Sequence, residues 1–92
     1  MTLISKQPYI EITRTVESNE QQQIESRHHL CLYRDKIITE SREFPLHNVL
    51  DISFKIISGE TGFLYLHTNH QVFSFYLRNH PHEFIEAFRK LK

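Results

Sequence analysis

Strict alternation at residues 49–57 constrains this chain more than any other feature: Leu50, Ile52, Phe54 and Ile56 fall on one side, Asp51, Ser53 and Lys55 on the other. Successive side chains of an extended strand point to opposite faces, so a period of two marks a strand with one face on a core and one in water. A less regular alternation runs through residues 24–33. There Ile24, Ser26, His28, Leu30 and Leu32 share a face opposite Glu25, Arg27, His29, Cys31 and Tyr33.

The segments around these two strands extend the pattern. Ser58-Gly59-Glu60-Thr61-Gly62 holds both glycines and reads as a turn into a strand at 63–67, and Asn69-His70 turns the chain into another at 71–77. Three consecutive strands then form a meander. Upstream, Arg34-Asp35-Lys36 joins 24–33 to residues 37–42 as a hairpin, and Pro45 ends that strand because it has no N–H for a ladder. Residues 9–14 are rich in β-formers and give a first strand. Residues 15–23, where Val16 is the sole apolar side chain, read as an exposed loop. The chain closes with a helix over 81–91: Pro81 suits a first turn, Asn79 or His80 the cap, and Phe84, Phe88 and Leu91 make an apolar stripe. Glu83 and Glu86 come early and Arg89, Lys90 and Lys92 late, which complements the helix dipole.

These elements predict one mainly β domain over residues 1–92 with a C-terminal α-helix and six evident strands. Hydrophobic residues at 39% and charged residues at 24% suit a folded soluble domain. Eleven basic and 11 acidic residues cancel, so the whole chain offers no net field to draw it onto nucleic acid or anionic lipid. A single cysteine, Cys31, excludes an intramolecular disulfide. No stretch of 18 uninterrupted apolar residues and no signal-like N-terminal segment occurs, so the expected address is cytoplasmic.

The wording of several segments carries a resemblance. Residues 30–38 (LCLYRDKII), 44–52 (FPLHNVLDI), 62–68 (GFLYLHT) and 81–91, with Pro-x-x-Phe-Ile-x-x-Phe in the last, resemble a bacterial pleckstrin-homology-like (PH-like) domain over about two thirds of the chain. The resemblance implies a barrel of two nearly orthogonal antiparallel sheets, seven strands in all, capped by the helix. The seventh strand would come from residues 3–6 or from a short segment near Leu46. It implies, too, that strand 49–57 borders the helix and offers a groove for an extended peptide formed by Val49, Asp51, Ser53 and Lys55. Ile85 would supply an apolar contact and Lys55 would select acidic partners. The competing reading makes Asp51, Ser53 and Lys55 the solvated face of a strand paired on both sides. Lipid-binding members of the family carry basic residues between the first two strands. Here residues 15–26 hold Glu17, Glu20 and Glu25 and no Lys or Arg, so phosphoinositide membranes are not expected partners.

Other chemistry is weakly supported. Seven histidines invite a metal reading, but adjacent His28 and His29 point to opposite faces, and a compact site would need His67 and His70 brought beside His80 or His82 and Glu83. No metal or cofactor is therefore expected. Cys31 with His28 or His29 is the sole nucleophile–base candidate, and no glycine-rich loop or nucleophile elbow accompanies it, so the chain does not read as an enzyme. Phe73, Phe75 and Tyr65 could form a stacking platform for single-stranded nucleic acid, yet Phe73 and Phe75 alternate with Ser74 and Tyr76 as core residues do and no basic groove accompanies them, so nucleic acid is not an expected partner. The expectation is a non-enzymatic interaction module acting through a protein or peptide partner or through self-association. A small-molecule or membrane-peripheral lipid module on the same scaffold is the alternative.

Overall fold

The computed structural model describes residues 2–17 and 20–92. Seven strands and one helix follow in chain order: β1 (Ser5–Glu17), β2 (Glu20–Leu32), β3 (Lys36–Ile38), β4 (Glu43–Pro45), β5 (Val49–Ser58), β6 (Thr61–Thr68), β7 (Val72–Leu77) and α1 (His82–Leu91). A 3₁₀ turn, Leu46–Asn48, separates β4 from β5. The strands form one antiparallel sheet in the order β4-β3-β2-β1-β7-β6-β5. β1 joins β7 through one residue pair, Ile10 with Tyr76, so the sheet is weakest at its middle.

That order has a geometric consequence. β4 and β5 lie at opposite edges of the sheet, yet three residues connect them. Three residues span at most about 11 Å, so the sheet rolls until its two edges approach at one corner, without hydrogen-bonding to each other. Phe44 of β4 accordingly stacks edge-on against Phe73 of β7, ring centroids 4.8 Å apart. Both halves share a single core: Tyr9, Leu30, Leu32, Ile37 and Phe44 from one, Ile52, Leu64, Leu66 and Leu77 from the other. Phe84 and Phe88 of α1 complete it, and the helix touches β1 and β5. Lys92 Nζ donates to the Leu46 carbonyl at 2.9 Å, which ties the helix end to the corner turn.

Several expectations need correction. Residues 15–23 are not a loop: apart from Ser18 and Asn19, which lie outside the described residues, they belong to a β1–β2 hairpin paired without interruption from Ser5–Leu32 to Glu17–Glu20. Thirteen residues at about 3.3 Å each make a ribbon of roughly 43 Å, which accounts for the 49 Å long axis. The distal ribbon lies beyond the core, so its pairing selects no apolar face. The seventh strand is β4, just before Leu46, while the 3–6 segment feeds β1 from Ser5. Residues 37–42 do not make one strand; the Thr39–Arg42 turn separates β3 from β4, with Thr39 Nα donating to the Arg42 carbonyl at 2.8 Å.

The founding alternation is also displaced at its start. Val49 pairs with Thr68 and Asp51 with His67, so Leu50 is an extra residue in a β-bulge. Val49 therefore enters the core while Leu50 is 63% exposed. Ile56 is exposed as well, because β5 runs on beyond the core. The β5–β6 turn is the two-residue Gly59-Glu60, with Gly59 at φ +57°, a left-handed value suited to a tight hairpin. Gly62 lies in β6, where a Cβ would fall 2.1 Å from the Lys55 carbonyl oxygen. Neither Asn79 nor His80 caps α1; Asn79 Oδ1 instead accepts from Gln7 Nε2 at 3.1 Å, and His80 packs edge-on against Phe54 at 5.0 Å.

Candidate functional site

β5 is an edge strand: among the described residues it pairs with β6 alone. The reading in which it is paired on both sides is therefore excluded. Which of its backbone groups face outward follows from two contacts. The Ile52 N–H donates to Asp51 Oδ1 at 2.8 Å, so it is not spent on β6, and the Lys55 carbonyl points at Gly62 of β6. Alternation along an antiparallel strand then directs the N–H and C=O of Phe54 and Ile56 away from the sheet.

The five residues expected at this groove have separate fates. Val49 is fully buried and contributes no side chain to a partner. Asp51 is exposed but holds the Ile52 N–H, which shields one rung of the edge. Ser53 Oγ lies 2.7 Å from His67 Nε2 on the outer face. Lys55 is exposed opposite Phe63, and Ile85 is half-buried against the core from α1. Phe54 with His80 above it, which the sequence reading left out, lines the edge as well. The signal for His80 was its position before Pro81, read there as a cap.

The Ser53–His67 pair has the contact of a nucleophile and its base, but it lies on an open sheet face. Asp51, across from His67, has its Oδ1 engaged by backbone. Among the described residues no side chain other than Ser53 hydrogen-bonds His67, so none orients the imidazole as a catalytic third member would. Cys31 is half-buried on the same outer face as His29, and His28 turns inward against Tyr9 at 5.5 Å. The two ring nitrogens of His28 face Glu11 at 3.7 Å and Glu40 at 3.5 Å. The histidines proposed for a compact cluster are apart in role: His67 bonds Ser53, His80 covers Phe54 and His82 faces Glu86 at 3.5 Å. Among the described residues no three His, Cys, Asp or Glu side chains converge as metal ligands would.

The aromatic grouping drawn from sequence divides between two faces. Phe73 and Phe75 pack inward, Phe75 against Tyr9 at 5.1 Å. Tyr65 lies on the outer face with Phe63 at 6.4 Å, and Phe63 meets Tyr76 at 5.6 Å. Cross-strand pairing puts Lys55, Phe63, Tyr76, Ile10 and Arg27 in one row across five strands. Arg78 stands 5.9 Å over the Tyr76 ring and pairs with Glu25. Its hydrogen bond to Glu25, aided by one with Tyr76, raises the guanidinium above its ordinary range. Among the described residues no helix is long and apolar enough to cross a membrane. The chain matches no described protein family, no curated protein and no solved structure.

Proposed function

We propose that this chain is a non-enzymatic interaction module of PH-like fold that receives an extended peptide along β5. The fold reading is supported by a sheet that rolls until its edges approach at one corner, by one core shared between its two halves, and by a helix set over that core. In this reading the halves β1–β4 and β5–β7 are the two near-orthogonal sheets, hinged at the single β1–β7 pair.

The observation that carries the function is the unpaired edge of β5 beside α1. Edge strands template the addition of another strand unless something blocks them. Here Asp51 blocks one N–H, while Phe54 and Ile56 keep theirs directed outward. Ile85 and Phe54 form an apolar shoulder, and Lys55 favours acidic sequences. Phosphoinositide surfaces are not the partner in this account, since Glu17, Glu20 and Glu25 occupy the segment where lipid-binding relatives of the fold carry cations.

Selection from a displayed random-peptide library tests the proposal, followed by amide-shift mapping of the selected peptides. Acidic peptides should shift Phe54, Ile56 and Ile85, and Ile56→Pro, which removes an outward N–H, should weaken them about tenfold without unfolding the domain. Lys55→Glu should weaken them similarly. Peptides that map elsewhere, or that bind Ile56→Pro equally well, would refute the groove.

A further inference from the structure

The net charge of zero is an average over two unlike faces. Register assigns Lys6, Arg14, Arg27, Lys55 and Arg78 to the outer face of the β5-β6-β7-β1-β2 sheet, against Glu25 and Asp51. Both of those carboxylates are engaged, Glu25 by Arg78 and Asp51 by the Ile52 N–H. Among the described residues Arg27 and Lys55 have no carboxylate within ion-pair distance, and both are exposed. The opposite side of the β1–β2 ribbon carries Glu11, beside His28 and Glu40. The fold thus separates charges that the sequence intermixes.

Between the cations lie aromatic rings. Phe63, Tyr65 and Tyr76 are half-buried side chains on the outer side of central strands. Beside them Pro8, Ile10, Arg27, Arg78 and Asn79 line a concavity of about 280 Å³ with two guanidinium groups. Ile10 is 8% exposed although it points away from the core. Rings that accept stacked bases, flanked by cations that hold phosphates, are the recurrent means of binding unpaired nucleic acid. The row from Lys55 to Arg27 crosses four interstrand gaps, about 19 Å.

We propose that this outer face binds single-stranded nucleic acid, with bases stacked on Phe63, Tyr65 and Tyr76 and phosphates held by Arg27 and Lys55. The site shares Lys55 with the β5 edge, but its rings and Arg27 lie on other strands and the inference does not rest on peptide binding at that edge. A duplex satisfies it poorly, because its bases are already stacked on one another and present no free faces to the rings.

Fluorescence anisotropy with labelled oligo-dT and oligo-rU, their duplexes and a polyglutamate peptide tests it. Single strands should bind at about 50 mM salt, and two phosphate contacts predict a slope of about 1.4 in log Kd against log salt, about 0.7 per contact. Arg27→Ala, at an exposed position, should lower that slope by about 0.7. Tyr65→Ala should weaken binding about tenfold with the slope unchanged, and Tyr65→Phe should restore it. Absence of single-strand binding, an unchanged slope in Arg27→Ala, or equal retention of polyglutamate would overturn the proposal, the last by indicating an acidic protein partner instead.

Discussion

At Phe88 the apolar stripe of α1 reaches the sheet: the ring is 2% exposed, and Lys92 Nζ lies 5.8 Å from its centroid. Truncating a buried aromatic removes its transfer energy and leaves a cavity, so Phe88→Ala should cost about 3–5 kcal/mol. Against a total of about 5–15 kcal/mol for a domain of ordinary stability, chemical denaturation should show a large loss; a change below about 1 kcal/mol would mean the helix is not docked. Residues of this kind were legible in the sequence, because a helical stripe must face something. Leu50 was not. Its place in the alternation is regular, and the bulge that exposes it is set by how Val49 and Asp51 pair with β6, which no local pattern records. Tyr65 was likewise grouped with Phe73 and Phe75 by residue type, while the register divides them between opposite faces.

Among the elements, the meander β5-β6-β7 and helix α1 match the sequence reading closely, since each has its own periodicity and turn residues. The β1–β2 ribbon shows where periodicity stops being informative. Beyond Ile10 no third strand among the described residues pairs with it, and Ile12 and Ile24 are both exposed. With neither face on a core, no alternation is selected, and a polar strand looks like a loop. A two-stranded ribbon contributes little stability of its own. Replacing residues 13–24 with Asn-Gly, which closes a tight hairpin on the Ile12–Glu25 pair, should therefore leave the thermal midpoint within about 3 °C. A fall of more than about 10 °C in a calorimetric melt would show that the ribbon supports the body of the domain.

At the scale of the whole molecule, the order of strands and the rolling of the sheet come from pairings distant in sequence, such as Ile10 with Tyr76 and Phe44 against Phe73. Composition constrained the class of fold but not this strand order, and neutrality concealed the division of charge that the register produces. The functional account turns on one feature of that topology, the open edge of β5. Residue-resolved amide hydrogen exchange in the free protein measures it directly. Ser53 and Lys55, bonded to β6, should be protected, while Phe54 and Ile56 should exchange close to the rate of an unstructured chain and Ile52, held by Asp51, should fall between. Uniform protection from Ile52 to Ile56 would mean that a second strand or the helix already occupies the edge, and would contradict the account.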